Sequence, residues 1–225
     1  MQPVWKLPLE ASGVEIELRK GGRVRMRPVR LTDGDLLQDA YLRMSERSRY
    51  HRFFSSRSNM SDSLAESLTD IDHATHFAWL ILDPDASSGV GENGDDDVED
   101  DDAGLVVGVA RLIQDDDATS AEASLAIVDD YQRRGIGRFM VELLVATAAD
   151  IKTSVLRFEI LRQNGGMIRL VSGMGGTGHS IPGDNSVVEY CLPVPDSNET
   201  LVPAGALYGL LHRLAERSAA EEESK

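Results

Sequence analysis

Residues 120–161 constrain the fold more than any other part of this chain. Residues 120–128 read as a strand, and a turn rich in glycine and arginine follows at 132–137 (QRRGIG). Ile136, Phe139, Met140, Leu143, Leu144 and Thr147 then share one face at helical spacing. Leu156, Phe158 and Ile160 alternate in a second strand. This is a β-α-β passage, so both strands belong to one sheet and the helix packs on its face.

The turn also carries chemistry. Glycine tolerates positive φ and lets a ligand approach the backbone closely. The first N–H groups of the following helix lack intrahelical acceptors, and the helix dipole favours an anion there. Arg133, Arg134 and Arg138 add positive charge within about one turn. A pyrophosphate suits such a site. The bland alternative is a helix entry with glycines for packing and arginines for solubility. The turn lacks the Gly-Lys-Ser/Thr ending of a Walker loop and the GxGxxG of a dinucleotide fold.

The remaining pattern mixes strands and helices around one sheet, an α+β or α/β class. Residues 14–18 alternate, Gly21-Gly22 can turn the chain back, and 23–30 continue a hairpin. Thr32-Asp33 starts one helix, a second follows Ser45, and 62–68 make a short third. Residues 77–82 (FAWLIL) and 105–113 (LVVGVARLI) read as buried strands joined by a long acidic loop over 83–104. Residues 164–174 are helical in spacing, 173–178 (GMGGTG) a flexible turn, and 186–192 a last strand. Leu207, Leu210, Leu211 and Leu214 mark a C-terminal amphipathic helix.

Composition narrows the function classes. The hydrophobic fraction, 41% of 225 residues, supports one packed domain. A formal net charge of −15 argues against general nucleic-acid binding. The single cysteine, Cys191, excludes an intramolecular disulfide framework and a cysteine-rich zinc site. No signal peptide or membrane-spanning run is legible, so the expectation is a cytoplasmic protein with no membrane partner. His73 and His76 are close in sequence but lack a third ligand, so no metal is expected. The run 95–102 lacks the ligand spacing of a calcium loop and reads as a solvated tip.

The motif Q-x-x-G-x-G at 132–137 resembles the acyl-CoA signature of the GNAT superfamily of N-acetyltransferases. Residues 121–137 (AEASLAIVDDYQRRGIG) resemble the fourth strand and pyrophosphate loop of bacterial Pat-type protein lysine acetyltransferases. Residues 23–35 (RVRMRPVRLTDGD), 45–54 (SERSRYHRFF) and 164–175 are similar to further segments of that family, so the likeness covers about 23–192.

The resemblance implies a GNAT domain at 23–198, flanked by an extension at 1–22 and a helix and tail at 199–225. It implies a mixed, mainly antiparallel sheet flanked by helices and split in a V at the cofactor site. Acetyl-CoA is then the co-substrate and a primary amine the acceptor, a protein lysine first and a small amine second. Gln132, Arg133, Arg134, Gly135, Ile136, Gly137 and Arg138 would hold the pyrophosphate. Leu125, Ala126, Ile127 and Val128 would lie beside pantetheine, and Asn164 would line the site from the next helix. Glu122 stands where the family places a glutamate proposed as general base. Such a base is needed because a lysine of pKa about 10.4 arrives protonated. Val171 stands where many members carry a tyrosine acid, and Gly176 where an aromatic is usual. An intact cofactor loop without that tyrosine would also suit a silent acyl-CoA sensor.

Overall fold

The computed structural model describes residues 13–18, 22–55, 57–86 and 104–195. The C-terminal amphipathic helix, the 95–102 tip and the first twelve residues lie outside that set.

Among the described residues, eight strands form one sheet, with five helices on its two faces. In chain order they are β1 Val14–Glu17, β2 Arg23–Pro28, α1 Gly34–Leu42, α2 Glu46–Phe53, α3 Asp62–Thr69, β3 His76–Asp83 and β4 Leu105–Gln114. There follow β5 Ser120–Ile127, a 3-10 turn Asp129–Tyr131, α4 Ile136–Asp150, β6 Val155–Leu161, α5 Gly165–Ser172, β7 Thr177–Ile181 and β8 Asp184–Pro193. The spatial order is β1-β2-β3-β4-β5-β6-β8-β7.

Every neighbouring pair is antiparallel except β5 with β6, which the α4 crossover makes parallel. That parallel pairing holds only from Ser120↔Val155 to Glu122↔Arg157. Beyond Glu122, β5 stays on β4 as far as Ile127↔Gly108, while β6 stays on β8 as far as Leu161↔Val187. The sheet therefore opens into a V whose apex is Glu122.

Strand alternation divides the core in two. On one face, Ala121 and Ala123 of β5 join Trp79, Leu112 and Phe158 under α4 and α5. Ten residues of α4 are buried, including Phe139, Met140 and Leu143. The indole N–H of Trp79 donates to Thr147 Oγ1 at 3.2 Å, which satisfies a buried donor. On the other face, Leu80, Val106 and Val128 pack against Leu37, Tyr41, Met44 and Ala65 of the first three helices and their connections. Arg27 and Asp33, both buried, make a two-pronged ion pair at 2.7 and 2.8 Å that fixes the start of α1.

One expectation is corrected. Part of the 173–178 stretch, read as a turn, begins the edge strand β7. Its residues are almost wholly exposed, so no apolar alternation marks it. Pairing of Gly178 with Tyr190 holds it instead, and a Cβ on Gly178 would stand 2.8 Å from the Tyr190 ring.

Candidate active site in the split sheet

A cavity of about 690 Å³ runs along the V from the 132–138 turn to Glu122. Glu122, Ile127, Gln132, Arg133, Gly135, Gly137, Arg138 and Asn164 line it.

At its outer end, Arg133 (φ 63°) and Gly135 (φ 100°) bend the chain into α4, whose first residues Gly137 and Arg138 line the cavity. No side chain caps α4, and its first return bond is Phe139 N–H to Gly135 O. The N–H groups of Ile136, Gly137 and Arg138 thus have no acceptor within the helix. Uncapped amides at a helix mouth form an anion site. Gly137 is needed for close packing, since a Cβ there would meet Ile127 and Leu170 side chains at 3.3 Å. Arg138 shares its charge with Glu142 at 2.9 Å.

Hydrogen bonds tie this turn to α2. The Asp129 carboxylate accepts from Ser45 N–H (2.8 Å), Ser45 Oγ (2.7 Å) and Ser48 Oγ (2.9 Å). Burial pushes the Asp129 carboxyl up, but these serine donors outweigh it and hold the group below its ordinary range. Gln132 Nε2 donates to Ser48 Oγ and to Ile127 O, each at 3.1 Å.

Along the V, the free edge is that of β5. Val128 N–H donates to Val107 O at 3.0 Å, so Val128 faces β4. By two-residue alternation the N–H and C=O groups of Leu125 and Ile127 face the opening. The Leu125 groups and the Ile127 N–H offer an extended ligand the pairing that β6 no longer supplies, while Ile127 O already accepts from Gln132 Nε2.

The side chains of three expected cofactor residues lie off the cavity wall. Val128 is buried under the first helices with its N–H committed to the sheet. The Arg134 guanidinium lies 4.6 Å over the Tyr131 ring, off the cavity wall. The Ile136 side chain is in the core, which leaves only its main-chain N–H for a ligand. Asn164 does line the cavity, while its Oδ1 caps α5 through Met167 N–H at 3.2 Å. Val171 is fully buried, so the tyrosine position offers no polar group to the site.

At the inner end, Glu122 is exposed to the cavity beside Ser124 and the α2 residues His51 and Arg52. Burial, then the nearby Arg47 charge, lowers the pKa of His51, which favours its neutral form. Glu159 of β6 also faces this cavity, a second carboxylate on its wall. Sequence reasoning missed His51, Arg52 and Glu159. Only the short 45–54 resemblance pointed toward α2.

Residues 23–177 match the family model described as "Acetyltransferase (GNAT) domain". The chain belongs to the GNAT acetyltransferase family. This GNAT domain is 26% identical over 163 residues to acetyltransferase Pat of Mycolicibacterium smegmatis, covering 72% of the chain and 44% of that relative. It thus spans less than half the length of that curated relative. The crystal structure of the GNAT domain of S. lividans PAT is similar at a TM-score of 0.68 and 21% identity, over 84% of this chain and 99% of that one. A spermidine N-acetyltransferase from Vibrio cholerae, solved with CoA and spermine, has a TM-score of 0.56 at 14% identity, over 76% and 95% of the two chains. These two structural likenesses concern the fold. Among the described residues no three His, Cys, Asp or Glu side chains could hold a metal, and no helix is long and apolar enough to cross a membrane.

Proposed function

We propose that this GNAT domain moves an acetyl group from acetyl-CoA to a primary amine, with a protein lysine as first-choice acceptor. The observation that carries the reading is the V itself: an uncapped helix mouth at one end, a free strand edge along it, and a carboxylate at its apex. The amides of Ile136, Gly137 and Arg138, with Arg133 nearby, would hold the pyrophosphate. Leu125 and Ile127 would pair with the amide groups of pantetheine. Glu122 would take the proton from the ammonium, directly or through a water, and free the nitrogen to attack the thioester carbonyl. The C–S bond breaks, and solvent protonates the departing thiolate, since Val171 supplies no acid.

Protein lysine ranks first because the likeness to Pat covers 72% of the chain. A small amine ranks second, on the likeness to the spermidine enzyme. The match over 23–177 and β8 ending at Pro193 support a transferase domain bounded near 23–198. The lone free Cys191 fits a reducing, cytoplasmic setting.

The test is release of free thiol from acetyl-CoA with and without a lysine peptide or a polyamine. Amine-dependent release is expected. Tight acetyl-CoA binding with no release for any amine would replace the transferase by a silent sensor.

A further inference from the structure

We propose that Arg52, backed by buried Arg111, forms a carboxylate-binding subsite at the inner end of the cavity, so that one of the two reacting molecules carries a carboxylate. This deepens the transferase reading and rests on it.

A second, smaller cavity of about 40 Å³ lies under α1 and α2 on the Glu122 face of the sheet. Arg52 lines both cavities and so stands where they meet. Its guanidinium sits 5.0 Å over the Phe53 ring, and it has no hydrogen-bond partner among the described residues. Arg111, on β4 opposite Ser124, lines the smaller cavity and is only 5% exposed. One terminal nitrogen meets His76 Nε2 and the other donates to Leu68 O. Its Nε is buried without a partner. Leu68 O is neutral, and His76 Nε2 can only accept from a guanidinium, so it carries no proton; burial and the Arg111 charge favour that form against the opposing charges of Asp72 and Asp70.

The charge is therefore unbalanced. Burial pushes Arg111 down to about 10, and the neighbouring charge that adds to this is another cation, Arg52. Glu122 acts on Arg52 through space but lies beyond ion-pair distance among the described residues. Two guanidinium groups close together in a partly dry pocket repel, and an anion between them and the solvent relieves that repulsion. A carboxylate fits because Arg52 can offer a planar fork of N–H donors. Arg111, its ends pinned, supplies field rather than contact.

The carboxylate can arrive on the acyl arm of the thioester or on the acceptor. In the first case the nitrogen attacks a dicarboxylic monothioester, the C–S bond breaks, CoA leaves as thiolate, and the displaced proton goes to Glu122 and then to solvent. In the second the same exchange occurs with acetyl, and the carboxylate is carried by the amine.

Binding separates the sources without requiring turnover. One arm titrates the chain with succinyl-CoA and with butyryl-CoA, which have four-carbon acyl groups with and without a carboxylate. The other, with CoA saturating, titrates lysine and cadaverine, which differ by the carboxylate alone. A preference of about tenfold or more for the carboxylate member is expected in one arm, from charge-assisted bonds to Arg52. Arg52→Gln should bring that ratio close to one, and Arg52→Lys should keep part of it. Burial is the largest influence on the Arg52 guanidinium and lowers its pKa, so a melting curve of each variant checks that it folds. No preference in either arm with CoA bound normally overturns the subsite and leaves the CoA site standing. A preference that survives Arg52→Gln also overturns it. No CoA binding at all overturns the transferase reading itself.

Discussion

The two ends of the cavity are built in opposite ways. The outer end comes from one continuous stretch, 128–138, whose positive φ angles and uncapped helix start are local properties. The inner end gathers α2, β4, β5 and β6, so that Arg52, Glu122 and Glu159 come to one cavity, and Arg52 and Arg111 to the smaller one beside it, only after the chain has folded. A cofactor common to many reactions can be held by a short fixed bend. An acceptor particular to one reaction needs side chains brought from several elements. The two ends are joined by Asp129, which belongs to the outer stretch and holds the start of α2, whose other end carries His51 and Arg52.

The sharpest way to separate the ends is Glu122→Gln. Turnover should fall by about 100-fold or more at neutral pH while acetyl-CoA affinity stays the same, because the change removes the proton acceptor and leaves the pyrophosphate turn intact. Steady-state rates and a titration on the same sample check both halves. If Glu159→Gln has the larger effect, the base lies on β6 and the assignment to β5 fails. Gly135→Val makes the converse cut. A β-branched residue at φ 100° forces the bend to shift, and CoA affinity should drop by about tenfold or more.

Asp129→Ala tests the link between the ends. Losing its three serine contacts should cost about 1–2 kcal/mol of stability at pH 7, read by denaturant melting. The folded-state pKa of Asp129 is depressed, so its contribution is full above the ordinary carboxyl range and is lost as pH falls through the folded value. The gap between wild type and variant should therefore begin to narrow near about pH 4 and close only below the folded value, which is lower still. A gap that persists there would show that the carboxylate charge is not what holds α2. The smallest effect is expected for Arg134→Ala. With its guanidinium over Tyr131, it should change CoA affinity by less than about threefold, in keeping with a weak exposed cation–π contact. Arg133→Ala should cost more, since Arg133 lines the cavity.

The same contrast explains what could be read from residues alone. The β-α-β passage was legible because α4 repeats its apolar positions at helical spacing and β6 alternates. The pyrophosphate turn was legible because glycine and arginine are needed there for local reasons. Arg134 and Ile136 belong to that turn by position in sequence, and Val128 to the pantetheine strand. Which way each faces depends on β4 register, on Tyr131 and on core packing, none of which the motif encodes. Strand β7 escaped notice because an exposed edge carries no apolar pattern, and its support comes from Tyr190 on β8. The basic pair Arg52 and Arg111 stands 59 positions apart, and only the folded chain brings both to the wall of the smaller cavity.

The most direct test of the whole is a calorimetric titration with acetyl-CoA and then with acetyl-pantetheine, which keeps the thioester arm but has no diphosphate. The predicted result is one site per chain for acetyl-CoA and affinity at least about 100-fold weaker for acetyl-pantetheine, since several charge-assisted bonds are lost. Equal affinity for the two, or no heat with acetyl-CoA, would contradict a diphosphate held at the mouth of α4.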